Sequence, residues 1–331
     1  MPRESQLVEK ISRALVSRRA ASSRVKMGIG DDAAIISPAE GSEWVLSCDA
    51  FVEDVHFQMK SHPPDSVGYK SLARATSDLA AMGAAPRFFM LTLALPSVRT
   101  GSWLDAFLKG MARAARELGI TVIGGDTTQS RTVFISITVL GEVAPGRALT
   151  RSGARPGDII YVSGKLGRAL LGLELVLRGH ARNRQLRTQL QPHLYPKIRI
   201  ALGSWLAQHR IATSAIDLSD GLSTDLARLC AANQVGAKIY ANKIPLVKIP
   251  PSAASKITKR KSDPLLRALH GGEDYELLFT IARRQAKKLR GAPGASALTP
   301  VGEITRHRQL VLVTPDGRDM PLKPQGWDPF R

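Results

Sequence analysis

Gly28-Ile29-Gly30-Asp31-Asp32-Ala33-Ala34 is the stretch on which the reading of the chain turns. Two adjacent carboxylates after two glycines repel one another unless something positive lies between them, and glycine lets the backbone come close to it. A hard divalent cation would serve. Taken alone, the motif reads first as a solvated Asp-Asp turn. Its surroundings favour the cation. Residues 27–59 hold Asp31, Asp32, Glu40, Glu43, Asp49, Glu53 and Asp54 but no lysine or arginine, in a chain with 47 basic and 28 acidic residues. Positive charge is scarce again around Asp217, Asp220 and Asp225, where Arg228 stands alone, and around Glu273, Asp274 and Glu276, with none between Arg267 and Arg283. If these segments meet in the fold, their charge requires metal ions.

At 331 residues the chain has room for two domains with full cores. A hydrophobic content of 44% and a charged content of 23% are those of a soluble globular protein. Two cysteines, Cys48 and Cys230, give neither a disulfide scaffold nor a thiolate zinc site and suit a reducing compartment. No apolar run reaches the roughly 18 residues of a membrane span. Glu4 and Glu9 interrupt the basic start and no apolar region follows, so neither signal nor transit peptide is expected and the cytoplasm is the expected location. A net charge of +19 points to an anionic partner. Its basic runs, such as Arg18-Arg19 and Lys259-Arg260-Lys261, read as solvated faces, and with only 5% aromatics a base-stacking surface is not supported. Nucleic acid is therefore not expected as a specific partner.

Periodicity places helices over 4–18, from Asp65 to Met82, over Trp103–Leu118 and over 197–209. Strands are expected over Val45–Phe51, Phe88–Leu95, Ile120–Ile123, Thr132–Val143, Ile159–Val162, Leu277–Ile281 and Leu310–Thr314. Asp78 falls at the edge of the second helix's apolar stripe. Turn formers between Gly146 and Gly157 mark the crossing from a first domain, 1–148, to a second, 149–331. Arg182–Leu190 reads as a polar surface segment, 245–264 as loop and the residues after Ile281 as a basic helix.

Two nucleotide signatures fail. Gly28–Ala33 spells G-x-G-x-x-A, yet its variable positions carry two aspartates that would repel a pyrophosphate. Ser163-Gly164-Lys165-Leu166 lacks both the first glycine and the final hydroxyl of a Walker A loop. No Ser-His-Asp order, reactive thiol or zinc spacing of histidines is evident. What remains is a set of glycine-flanked acids, Asp31, Asp32, Asp49, Asp78, Asp126, Asp217, Asp220, Glu273 and Asp274. Oxygen ligands of this kind suit Mg²⁺, which works beside phosphates. Phosphoryl transfer follows.

Six segments carry a resemblance: Gly28–Ala34, Ser77-Asp-Leu-Ala-Ala-Met-Gly83, Gly124-Gly-Asp-Thr127, Arg151-Ser-Gly-Ala-Arg-Pro-Gly-Asp158, Ile216-Asp-Leu-Ser-Asp-Gly-Leu222 and Gly271-Gly-Glu-Asp-Tyr-Glu-Leu277. In this order, and over nearly the whole chain, they resemble the thiamine-monophosphate kinase family, within the group typified by aminoimidazole ribonucleotide synthetase. The resemblance implies two α/β domains of mixed α+β character and a homodimer in which the N-terminal domains join their sheets. ATP is then bound in a cleft lined by the acids. It assigns 1–148 to ATP and magnesium binding and dimerisation, and 149–331 to completing the substrate cleft.

Carried over position by position, Asp31, Asp49, Asp78, Asp126, Asp217 and Asp220 match magnesium ligands, with Asp31, Asp78, Asp217 and Asp220 the catalytic set. Gly125, Asp126, Arg151 and Ser219 match ATP contacts, and His56, Glu273 and Trp327 match contacts to thiamine monophosphate. An aromatic face at Trp327 suits a cationic thiazolium; a tryptophan plugging the core is the plainer alternative. Cys48 replaces a usual Thr or Ser, and Phe107-Leu108 stand where a Tyr near adenine is common. The implied reaction is ATP- and Mg²⁺-dependent phosphorylation of thiamine monophosphate to thiamine diphosphate, the last step in making that cofactor. Selenophosphate-forming and hydrogenase-maturation relatives need a reactive Cys or selenocysteine near a terminus, whereas Cys48 falls in a strand and Cys230 in a helix.

Overall fold

The structure is a computed structural model and describes residues 4–15, 25–27, 29, 34–37, 39–257, 263–328 and 330. Asp31 and Asp32, with Gly28, Gly30 and Ala33, lie outside the described residues, as do the basic runs at 18–19 and 259–261. The chain divides into two compact units, Met1–Leu79 with Ala85–Pro145, and Ala80–Ala84 with Gly146–Arg331.

The first unit contains α1 (Glu4–Leu15), β1 (Val25–Met27), β2 (Ile35–Ile36), β3 (Glu43–Val52), α2 (Pro64–Ala81), β4 (Ala85–Leu95), α3 (Ser102–Leu118), β5 (Thr121–Gln129) and β6 (Phe134–Val143). Its four-stranded sheet runs β3-β6-β4-β5 and is parallel only at β4–β5, the pair that α3 connects. Side chains alternate across a strand, so each row has one face. Phe51, Ile135 and Leu93 share one row, and Ile137 and Leu91 another; all are buried. α2 lies against this inner face, since its Arg74 and Asp78 reach Asp49 and Ser47 of β3. α2 and α3 cross at glycines: a Cβ on Gly68 would sit 1.9 Å from the Phe107 carbonyl oxygen, and one on Gly110 1.8 Å from that of Asp65. On the outer face, Val25, Ala34 and Ile36 of the β1–β2 pair and its approach cover Phe88, Ile123 and Leu140. Beyond them Leu46, Met90 and Phe134 stay open to solvent, Leu46 at 61%.

The second unit contains β7 (Ile159–Val162), α4 (Arg168–Leu175), α5 (Arg187–Leu194), α6 (Ile200–Gln208), β8 (Ala212–Asp217), α7 (Leu222–Asn233), β9 (Gly236–Tyr240), α8 (Pro251–Ala254), α9 (Pro264–His270), β10 (Leu277–Ile281), β11 (Thr299–Thr305), β12 (Leu310–Val313) and β13 (Asp319–Pro321). Its sheet runs β13-β12-β9-β11-β7-β10-β8. Both faces are covered. Ile160, Val162, Ile216 and Leu278 pack with Leu222, Leu226 and Leu229 of α7, while the alternate residues Tyr161, Ala215, Leu277, Phe279 and Ile281 pack with Leu202 and Leu206 of α6. Ala80 and Ala81, the end of α2, belong to that second cluster, and Gly203 makes room, since a Cβ there would lie 1.9 Å from the Ala80 carbonyl oxygen.

Arg182–Leu190 lies at the surface as expected, with Arg182, Arg184, Gln185, Arg187 and Thr188 exposed, but it is amphipathic: Leu186 and Leu190, with Leu194 of α5, are buried against Leu171, Leu175 and Val247. Three expectations need correction. The expected loop 245–264 contains α8, and Asp263 caps α9 by accepting from the Leu265 N–H. The basic run after Ile281 is a 3₁₀ helix, Arg283–Gly291. Strands β9, β11 and β13 were not expected. In β11 Pro300 and Gly302 read as strand breakers, and the register does shift between them, the bulge absorbing both.

Candidate functional site

In the first unit the inner face and α2 fix two of the expected acids side by side. Residues 47 and 49 are two apart on a strand and residues 74 and 78 four apart on a helix, so each pair shares a face. Asp78 accepts from the Ser47 hydroxyl, and Asp49 accepts from Arg74 Nε at 3.2 Å. The other expected carboxylate is remote. Asp49 shares a row with Ile137, Leu91 and Gly125, which crosses the whole sheet, and at about 4.8 Å per strand this row is ~14 Å long. Asp126 lies one residue on from Gly125, exposed on the far edge strand. Gly125 is required there, because a Cβ would meet the Leu91 carbonyl oxygen at 1.9 Å. His56 accepts the Val52 N–H at Nδ1 (3.1 Å), which places its proton on Nε2, and its ring lies 5.6 Å from Phe51. Cys48 is exposed with Sγ 3.3 Å from Ser136 Oγ.

In the second unit the expected residues converge at one end of the sheet. β7 and β8 end there and the antiparallel β10 begins there. Asp217 closes β8, 5% exposed, and the loop Leu218–Gly221 leads into α7. The 271–276 segment is laced to this loop: Glu273 N–H donates to the Ser219 carbonyl at 2.8 Å, Tyr275 N–H to that of Leu218 at 2.9 Å, and Leu218 N–H to that of Glu276 at 2.8 Å. Glu273 and Tyr275 take the positive φ angles, 69° and 48°, that this lacing demands. Trp327 joins from the tail, its N–H donating to the Asp220 carbonyl at 3.0 Å. Its indole is 47% exposed, which removes the core-plug alternative. Arg151 does not join the group. Its carbonyl accepts from Asn233 at the far end of α7, a 12-residue helix and so about 18 Å long.

Many of the acids have protein partners that sequence could not supply. Asp225, fully buried, accepts from the N–H groups of Asp220 and Gly221, both at 3.0 Å, and pairs with Arg228, which also holds Asp220. Burial pushes Asp225 up to about 6. Asp274 accepts from Gly167 N–H (2.6 Å) and Ala169 N–H (2.9 Å) at the start of α4, and burial lifts it to about 7. Glu276 takes a two-pronged contact from Arg199 and the Ser163 hydroxyl at 2.5 Å. Glu273 lies 3.0 Å from His193 Nδ1. Arg199 and His193 sit more than 70 residues upstream of their partners, so no local spacing announces them. Among the described residues no three His, Cys, Asp or Glu side chains gather closely enough to hold a metal ion. Between the start of α4, α5 and Val247-Lys248 a cavity of about 390 Å³ is lined by Lys165, Arg168, Gln189, Arg199 and Lys248, with no carboxylate in its wall. Cys230 is buried and its thiol is pushed up to about 12, so it offers no nucleophile.

Two family models match the chain: AIR synthase related protein, N-terminal domain, over residues 30–143, and AIR synthase related protein, C-terminal domain, over 155–314. The thiamine-monophosphate kinase of Bacillus subtilis (strain 168) is 33% identical over 316 residues, covering 93% of this chain and 95% of that protein. The chain belongs to the thiamine-monophosphate kinase family. Its members' solved structures share the two-domain fold. The thiamine-monophosphate kinase of Stenotrophomonas maltophilia K279a superposes with a TM-score of 0.80 at 33% identity, over 95% of this chain and 96% of that one. A structure of AaThiL complexed with AMPPCP and TMP gives a TM-score of 0.76 at 29% identity, over 99% and 98%. Among the described residues no helix is long and apolar enough to cross a membrane.

Proposed function

We propose that this protein transfers the γ-phosphate of ATP to thiamine monophosphate, giving thiamine diphosphate and ADP by direct in-line displacement. The family membership, held over 93% of the chain, carries this reading. The acceptor oxygen belongs to the substrate's own phosphate, whose second pKa is about 6, so it is largely ionised near neutrality and needs no strong base. That agrees with the buried Cys230, which offers no thiolate. A basic cavity elsewhere in the second unit, lined by Lys165, Arg168, Arg199 and Lys248, suits phosphate-bearing substrates. Glu273 offers a negative charge, and the half-exposed indole of Trp327 a π-face, to the thiazolium cation. His56 completes the thiamine contacts, and Gly125, Asp126 and Ser219 bind ATP, while Arg151, at the far end of α7, is left out of the set.

Asp31, Asp49, Asp78, Asp126, Asp217 and Asp220 would hold Mg²⁺, with Asp31, Asp78, Asp217 and Asp220 nearest the chemistry. The donors fit that ion: all are carboxylates, and Mg²⁺ takes one or two of these with its other positions filled by phosphate and water, so no three-residue cage is needed. When bound, it screens the repulsion between two polyanions and stabilises charge on the transferring group. Residues 1–148 form the ATP- and magnesium-binding and dimerisation domain, and 149–331 complete the substrate cleft, adding Asp217, Ser219 and Asp220, in a cytoplasmic homodimer joined through the N-terminal sheets. The open outer face with Leu46, Met90 and Phe134 is apolar enough to be such a join.

The test is purified protein with ATP, Mg²⁺ and thiamine monophosphate, with thiamine and an aminoimidazole precursor as control acceptors. Thiamine diphosphate and ADP should appear in equal amounts; consumption of another acceptor instead would reassign the enzyme. Asp78→Asn and Asp217→Asn should each lower kcat at least about a hundredfold while remaining folded by circular dichroism. Near-normal rates at limiting Mg²⁺ would contradict their roles.

A further inference from the structure

Glu273 is held at both ends. Its backbone N–H is tied to Ser219 in the loop that carries Asp217 and Asp220, and its carboxylate Oε2 lies 3.0 Å from His193 Nδ1. His193 is 0% exposed, whereas Glu273 is 24% exposed. A buried imidazole beside a carboxylate that still reaches the surface fixes where its charge points.

His193 is itself firmly seated. α5 buries Leu190 and Leu194, and the helix faces α4 across Gly172, where a Cβ would stand 2.7 Å from the His193 Cβ and 2.9 Å from the Gln189 carbonyl oxygen. Only a glycine lets the two helices close far enough to bring the imidazole to Glu273. α4 is anchored in turn by Asp274, the residue after Glu273, which accepts from the Gly167 and Ala169 N–H groups. The α4–α5 pair and the 271–276 segment are thus one clamp with the Glu273 carboxylate between its jaws.

We propose that His193 is a positioning residue for the thiamine end of the substrate: its Nδ1–H holds the Glu273 carboxylate in the rotamer that meets the thiazolium cation. This rests on the kinase reading above. Charge-assisted hydrogen bonds of this kind are short and directional, and a group held in place loses less freedom when the ligand arrives. The contribution therefore falls on binding of thiamine monophosphate and not on ATP or on the transfer step.

The experiment is steady-state kinetics on the whole chain for His193→Asn, His193→Gln and His193→Leu. An asparagine amide nitrogen stands near the position of Nδ1, a glutamine amide nitrogen near that of Nε2, and leucine has no donor. The Asn variant should keep the KM for thiamine monophosphate within about threefold of wild type, while Gln and Leu raise it about tenfold or more with the KM for ATP unchanged. Combining His193→Leu with Glu273→Gln should add little to either single change. If the leucine variant does not fold, the Asn–Gln contrast carries the test. A merely structural histidine would lower Tm and leave the ratio of the two KM values alone. That result, or equal behaviour of Asn and Gln, overturns the proposal. A wild type inert toward thiamine monophosphate overturns the kinase reading and this inference together; an active wild type with unmoved variants overturns the inference alone.

Discussion

Two opposing demands meet at the Asp274 carboxylate. Desolvation favours the neutral acid, and the two N–H groups at the start of α4 favour the anion; burial wins by enough to lift it from 3.8 to about 7. The folded state therefore binds a proton that the unfolded chain releases above about pH 4. The stability this group contributes is full below about pH 4 and is lost as pH rises through about 7. Asp274→Asn removes the titration at the cost of one acceptor. Its Tm deficit against wild type should be largest near pH 4.5 and shrink toward pH 7.5, which a pair of melting series resolves. A deficit that grew with pH would mean that the native carboxylate is ionised throughout. At this scale the sequence shows which residues are acidic but not what they meet. The paucity of lysine and arginine near Glu273–Glu276 suggests a missing cation, yet His193 arrives from α5 and Arg199 from the turn before α6, and the start of α4 does the rest.

A different ion pair ties α4 to α9. Arg267 is 2% exposed and donates to Glu174 Oε2 at 2.6 Å, with its Nε and Nη1 atoms finding no partner among the described residues. Removing one member leaves a buried charge alone, so Glu174→Ala should cost about 3–5 kcal/mol. Replacing both, as Glu174→Leu with Arg267→Met, should recover most of that loss in urea titrations; failure to recover would show that the pair contributes more than it costs to desolvate. Elements themselves were legible where an apolar period ran uninterrupted, as in α3 and β10. They were hidden where tertiary contact overrides local chemistry. β11 accepts Pro300 and Gly302 because Gly302 lets the strand approach the Lys238 carbonyl oxygen to a distance no Cβ permits. α5 carries Pro192 and polar neighbours along its length, and only the spacing of Leu186, Leu190 and Leu194 at four residues pointed inward.

For the whole molecule, family motifs identified the two-domain architecture before any geometry, since six short segments in order constrain more than any periodicity. The open face of the first unit allows a check of the proposed homodimer: wild type should sediment as a dimer, and Leu46→Glu should shift it to monomer and leave the circular dichroism unchanged. A dimer that survives the charge would place the join elsewhere. One feature of the chain's path bears on how it can be cut. Ala80–Ala84 comes from the middle of the first unit's sequence but fills the second unit's core against Leu202, Leu206 and the Gly203 notch. A fragment expressed from Gly146 onward would lack its own plug and expose that groove, so it should aggregate on its own and become soluble when a peptide spanning 64–84 is supplied in trans. The second unit should therefore not be a free-standing part, since the piece that completes its core is made well before the rest of it.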